Sequence, residues 1–254
     1  MHYKVLNSGS DGNCTIINDV IAIDLGVSYR KIGAYRKTIK LVLLTHEHKD
    51  HFNWNTARIL AQNHPNVKFV CMDYMVKNLR NIVRPKNIFV IKPNTLYELG
   101  ICRLSAFNLE HDVPNVGYRI MIDSKKIIYA TDTSNLDNVV AKNYDLYLIE
   151  GNYDYEETIK RYREKTSNGE YSYELRAMKN HLSIDQFNEF IKKNNENGEV
   201  VMMHCHKEKH EKQKVESVWY ISNNKKDCLW KRQRKMYFLR QHTSYAKCSL
   251  YPTI

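Results

Sequence analysis

The chain lacks several features, and each absence narrows the reading. No aliphatic run exceeds four residues, the length of Leu41-Val42-Leu43-Leu44. A bilayer-spanning helix needs about 20 apolar residues, so no membrane contact is expected. The six cysteines are scattered and form no C-x-x-C pair, and the opening MHYKVLNSGS has no apolar signal-type stretch. Thiols in that setting read as reduced, which places the expected site of action in the cytoplasm. Internal repeats and low-complexity tracts are missing, which excludes repeat architectures. Negative charge is in deficit, with Lys+Arg 39 against Asp+Glu 28. The imbalance is local: residues 207–254 hold 12 Lys/Arg and 4 Asp/Glu, whereas residues 1–206 hold 27 and 24. That break suggests one domain over 1–206 and a basic C-terminal extension over 207–254.

What remains is a chain of 254 residues, 43% hydrophobic and 26% charged, large enough for a sizeable core. Short β-rich runs recur: HYKVL, CTII, VIAID, KLVLLT, VKFVC, IFVIK, CRLSAF, VGYRIMI, KIIYAT, DLYLIE and EVVMMH. Several are apolar on consecutive residues, as strands covered on both faces are. Helical patterns lie between some of them. In SIDQFNEFIKKNNENG, Ser183 reads as an N-cap, Ile184, Phe187, Phe190 and Ile191 form one apolar stripe, and Gly198 follows the end. The pattern predicts an α/β protein with two sheets and helices outside.

The chemistry concentrates in LVLLTHEHKDHFN. Leu41–Thr45 reads as a buried strand, and a helix is expected from about Phe52. Between them stand His46, His48, Asp50 and His51. In extended chain, residues two apart face the same side, so His46 and His48 can reach one point. Asp50 and His51 can reach a neighbouring one. Imidazole nitrogen with carboxylate oxygen suits zinc, and also manganese or iron. A lone histidine here would be a solvated loop residue; four ligand-type residues in H-x-H-x-D-H after a buried strand are not. His111, Asp132 and His204 each end another apolar run and are candidates to complete two sites.

THEHKDH resembles the signature of the metallo-β-lactamase superfamily. The opening NSGSDGNCTII, with S-G-S-x-G-N-C over Ser8–Cys14, followed by IAIDLG with Asp24, is similar to one branch of it. That branch contains WalJ/YycJ-type nucleases and phage anti-Pycsar cyclic-nucleotide phosphodiesterases. The resemblance runs from about Lys4 to His204 and implies an αββα sandwich holding two divalent metal ions, Zn²⁺ or alternatively Mn²⁺. It implies that His46, His48 and His111 bind the first, that Asp50, His51 and His204 bind the second, and that Asp132 bridges them. Asp24 would stand behind the ligands and orient them. Glu150 in LIEGNYD and His181 in NHLS resemble paired positions of ribonuclease Z-like relatives, where the histidine contacts the scissile phosphate. Asp50, Glu150 and His181 are therefore the candidate catalytic residues. His181 precedes a predicted helix start, which also favours phosphate. Ser8, Asn13 and His181 are candidate substrate contacts.

The expected activity is hydrolysis of a phosphodiester, foremost of a cyclic nucleotide in phage counter-defence, by a metal-activated water. A WalJ-type DNA or RNA nuclease is the alternative. A glyoxalase II-type thioesterase shares all seven ligand positions, and an inactive binding module is the remaining reading. A flavodiiron site is excluded because His48 stands where those proteins carry Glu. The sequence departs from the branch at Asp11, whose charge weakens a phosphate role for the opening loop. His206 and His210, in MMHCHKEKH, are rival ligands to His204. In the tail, DCLWKRQRKMYFLRQH sets cations among Trp230, Tyr237 and Phe238, a mixture able to hold single-stranded nucleic acid. A homodimer is expected by analogy with the family.

Overall fold

The computed structural model describes residues 1–205, together with the backbone of two short strands at 219–221 and 231–232. The first sheet runs in chain order: β1 (Tyr3–Asn7), β2 (Cys14–Ile17), β3 (Ile21–Ile23), β4 (Leu41–Leu43), β5 (Lys68–Cys71) and β6 (Ile88–Val90). The second comprises β7 (Tyr97–Glu98), β8 (Arg103–Leu109), β9 (Asn115–Ile122), β10 (Lys125–Ala130), β11 (Leu146–Glu150), β12 (Glu199–Met203), β13 (Trp219–Ile221) and β14 (Lys231–Arg232), again neighbour to neighbour. Both sheets are mixed, and each of the eleven predicted runs supplies a strand. The two-residue β7 is too short to leave a pattern. β13 and β14 continue the second sheet antiparallel beyond β12. The rest of the basic extension, with His206, His210, Trp230, Tyr237 and Phe238, lies outside the described residues.

Side-chain alternation divides each strand between two layers. In β11, Leu146 and Leu148 face the core between the sheets, where they meet Ile23, Leu43, Tyr129 and Met203. Tyr147 and Ile149 face outward onto Phe187 and Phe190 of α6 (Ile184–Asn194). On the first sheet, Ala22, Val42 and Phe69 face outward onto Ala57 and Leu60 of α2 (Trp54–Asn63). Burying one such large side chain contributes about 1.5–3 kcal/mol, which is why both faces of both sheets are covered. The result is the αββα sandwich. Helices α1 (Tyr29–Ile32) and α3 (Val76–Leu79) lie in the first sheet's half of the chain, and α4 (Tyr155–Ser167) and α5 (Glu174–Asn180) form an excursion between β11 and α6. Among the described residues no helix is long and apolar enough to cross a membrane.

Three boundaries differ from the sequence pattern, each for a local reason. β4 stops at Leu43, because the Thr45 N–H donates to Asp24 Oδ1 (2.9 Å) rather than continuing the ladder. α2 begins at Trp54: Asn53 caps it by accepting from the Thr56 N–H (3.0 Å), while its own N–H is held by the Leu25 carbonyl. α6 starts at the expected Ser183 cap, completed by a capping box with Gln186, but ends at Asn194. Gly198 belongs instead to the turn into β12, where a Cβ would lie 2.2 Å from the Tyr144 carbonyl oxygen.

Candidate metal centre

Strand direction gathers the candidate ligands. β3 runs parallel to β4, and β10, β11 and β12 run parallel to one another. β8 is antiparallel to β9, which is antiparallel to β10, so β8 points the same way as β10. The C-terminal ends of these strands lie on one edge of the sandwich. Asp24 follows β3, His46 follows β4, His111 follows β8, Asp132 follows β10, Glu150 ends β11, and His204 follows β12. Asp24, Asp132 and His204 all adopt left-handed backbone, at φ 60°, 59° and 53°. Non-glycine residues take that region reluctantly. Here it lets each chain turn sharply at its strand end.

Below the edge, the Tyr118 hydroxyl on β9 donates to the Leu44 carbonyl and ties the second sheet to the first, while Asn115 Nδ2 donates to the carbonyls of Thr131 and Asp132 and braces the β10 end within the second sheet. The His48–His51 turn is closed by bonds from the His51 and Phe52 N–H groups to the His48 carbonyl. Gly26 lets this turn sit against the loop after β3, since a Cβ there would lie 1.6 Å from the Asp50 carbonyl oxygen.

Two donor groups result. In the first, nitrogens of His46, His48 and His111 lie within 4.8 Å of one another. In the second, donor atoms of Asp50, His51, Asp132 and His204 do the same. Asp132, Glu150, His181 and His204 form a third, overlapping group. His46 Nε2 and His204 Nε2 are buried with no hydrogen-bond partner among the described residues, while Asp132 Oδ2 is buried beside His51 Nε2. Leaving such atoms unpaired costs about 1–3 kcal/mol each. Nitrogen and oxygen donors that converge while some lack a hydrogen bond are what a divalent cation takes, so these residues fit the metals that the fold implies.

The surrounding hydrogen bonds set tautomers. His51 Nδ1 meets Asp24 Oδ2 at 2.7 Å, and Thr45 Oγ1 lies 3.0 Å from both Asp24 oxygens. This leaves His51 Nε2 directed at Asp132 Oδ2, 2.9 Å away. His111 Nδ1 donates to the Asn180 carbonyl (3.1 Å), which leaves its Nε2 for a ligand. Glu150 is fully buried and accepts from His181 Nδ1 (2.7 Å) and the Thr133 N–H (2.9 Å). Ser8 and Asn13 are buried under the ligands: Ser8 Oγ accepts from the His204 N–H, and Asn13 Nδ2 lies 2.7 Å from His51 Nε2. His48, Asp50 and His181 keep part of their surface open to solvent.

Charge follows the same pattern. Burial, aided by His51, pushes His46 well below the usual imidazole range, so it is a neutral donor. Burial opposes charge on His51 too, but the Asp132 and Asp24 carboxylates outweigh it and hold the ring well above its ordinary value. Burial also works against His204, yet Asp132, Asp50 and Glu150 raise it to about 10. Burial opposes ionisation of Asp132, but His204 and His51 hold it well below the carboxylate range. Burial disfavours charged His181, and Glu150 reverses this and raises it.

All seven proposed ligands, with Asp24, Glu150 and His181, therefore meet on one edge. Thr45, Asn115, Asn152 and Asn180 were not singled out from the sequence. Thr45 and Asn152 were legible in principle, since they stand inside THEHKDH and LIEGNYD. Asn152 Nδ2 donates to the His204 carbonyl at 2.8 Å. Asn115 and Asn180 left no local signal, because each acts through a contact that only the fold creates.

A family profile described as "Beta-lactamase superfamily domain" matches residues 27–205, and the chain belongs to that family, in its metallo-β-lactamase fold. No curated protein matches the sequence. Among solved structures, the metallo-β-lactamase fold protein YhfI from Bacillus subtilis is similar at TM-score 0.64, with 16% identity over 81% of this chain and 86% of that one. Human tRNase Z, short form, aligns at TM-score 0.59 and 14% identity, covering 82% of this chain and 93% of its own. A diphosphatase from the PhnP family aligns at 0.52 and 13%, covering 80% and 85%. At these identities the likeness is one of fold.

Proposed function

We propose that this protein is a metal-dependent phosphodiesterase that hydrolyses a cyclic nucleotide. One observation carries the reading: two convergent donor groups adjoin a hydrogen-bonded pair of buried Glu150 and half-buried His181. His46, His48 and His111 would hold one cation and Asp50, His51 and His204 the other, with Asp132 shared by the two. Zinc suits this donor set best, and manganese is the alternative. When bound, the two cations supply charge against the phosphoryl oxygens and lower the pKa of a water to about 7. Asp24 keeps His51 in the tautomer with Nε2 free, and Asp50, on the open side, orients the attacking water. His181, held through Nδ1 by Glu150, donates a proton to the leaving oxygen. Ser8 and Asn13 brace His204 and His51 below the bound substrate. The nearly balanced charge of residues 1–206 suits a small substrate better than a polymer.

A nuclease is the second reading, favoured by the likeness to tRNase Z and by the basic residues 207–254. Zinc- or manganese-loaded protein is incubated with 3′,5′-cyclic mononucleotides, labelled single- and double-stranded DNA and RNA, and a glutathione thioester, with Asp132→Ala as control. Cleavage of cyclic nucleotides alone supports the first reading, and cleavage of polymers alone makes it a nuclease. Thioester hydrolysis alone gives a glyoxalase II-type enzyme, and metal-loaded protein inert on all of them is a binding module. The tail's part in nucleic-acid binding is read from the salt dependence of charge-neutralised variants. Truncation is unsuitable, because β13 pairs with β12. A cytoplasmic homodimer remains the expected form, checked by light scattering.

A further inference from the structure

The α4–α5 excursion reaches the centre at one point besides His181 and Asn180. Arg176, on α5, places Nη2 2.8 Å from Asp112 Oδ2. The other Asp112 oxygen, Oδ1, lies 3.2 Å from His111 Nε2 and 3.4 Å from His48 Nε2. A single carboxylate thus separates this guanidinium from two nitrogens of the first donor group. The Arg176 side chain is 72% exposed, while Asp112 is 27% and His111 3% exposed. The charged fork stands at the mouth of the centre, with its remaining N–H groups open to water. α5 does not float free: Glu174 is buried at its start and bonded to Lys165 of α4 and to Ser172, and Asn180 at its end accepts from His111 Nδ1.

We infer that Arg176 is a substrate-anchoring residue that binds phosphoryl oxygens of the nucleotide, with Asp112 aiming the guanidinium across the mouth. A planar guanidinium offers two parallel N–H donors to phosphate, and only part of that capacity is used by Asp112. A pair this exposed contributes little to stability, so its value lies in placing charge. The inference rests on the phosphodiesterase reading and deepens it, by naming what holds the substrate outside the metal groups.

The test compares Arg176→Ala and Arg176→Gln with Lys179→Ala, which removes the same charge from an exposed site on the same helix. Binding of inorganic phosphate and of a phosphorothioate cyclic nucleotide to the zinc-loaded protein is measured by calorimetry, with zinc content and Tm recorded for each variant. Arg176→Ala and Arg176→Gln are expected to weaken phosphate binding about tenfold or more, with zinc content and Tm unchanged. Lys179→Ala is expected to stay within about twofold. On any phosphodiester that is turned over, the loss should fall on KM rather than kcat. Equal losses at 176 and 179 would reduce the effect to general field and overturn the inference, as would unchanged binding. Zinc loss in both Arg176 variants would overturn it too, by showing that the pair only braces the ligands. Because phosphate binding is read directly, a protein that cleaves no phosphodiester sinks the functional reading without deciding this one.

Discussion

Asp24→Asn tests the reasoning most sharply, because it changes one oxygen to nitrogen and touches no proposed ligand atom. The carboxylate accepts from the Thr45 N–H at 2.9 Å, from the Thr45 hydroxyl at 3.0 Å, and from His51 Nδ1 at 2.7 Å. Asparagine can keep the Thr45 N–H bond through its carbonyl oxygen, but its NH₂ then faces His51 Nδ1, donor against donor. His51 can relieve this only by moving its proton to Nε2, the atom 2.9 Å from Asp132 Oδ2. That nitrogen is then lost as a ligand. Removing such an outer partner weakens metal binding roughly 10–100-fold, or about 1.4–2.8 kcal/mol, close to the worth of one charge-assisted hydrogen bond. The expected loss falls mainly on the second group, because Asp24 bonds directly to His51, whereas in the first group only His46 reaches it, indirectly, through the Thr45 hydroxyl. Zinc titration against a chromogenic chelator resolves it, and nitrogen NMR of the imidazoles reports the tautomer. Wild-type affinity at every site would refute the account.

His46→Ala and Asp132→Ala should remove metal and activity together, whereas His181→Ala should keep its metal and lose about 10²–10⁴-fold in turnover; a fully active His181 variant would end its role as acid. Gly26→Ala drives a Cβ into the Asp50 carbonyl, so lower Tm and lost zinc are expected, and a stable, fully loaded variant would contradict the packing. Zinc binding near neutral pH should release protons, because carboxylates hold His51 well above its ordinary value and His204 at about 10. Both rings are charged in the metal-free state and must give up protons to bind. Release from His204 should fade as pH rises through 10. Calorimetry in buffers of different ionisation enthalpy measures it, and zero release would be the contrary result.

Much of the architecture was legible in the sequence, because strand formation here depends on local runs of buried apolar residues such as Leu41–Leu44 and Leu146–Ile149. The Ser183 cap and the apolar stripe behind it were equally local. The H-x-H-x-D-H segment announced a metal centre for the same reason, with four donors in six consecutive residues. The ends of elements were less legible: Asp24 takes the Thr45 N–H away from β4, and Gly198 answers to Tyr144 rather than to the helix before it. Such competitors are distant in sequence, so no local pattern contains them.

What the sequence determined by itself is the inventory: the strands, the α6 cap, and the chemical types of the donors. Only the tertiary structure decided which donors meet. His46, His111, Asp132 and His204 are scattered along the chain and converge because their strands point one way and end on one edge. Their tautomers were settled there too, by Asp24 behind His51, the Asn180 carbonyl behind His111 and Glu150 behind His181. Arg176 reaches the mouth of the centre by the same route, through Asp112, a residue 64 positions away. A hydrogen bond depends on distance and direction in space, and those exist only after the two sheets have packed.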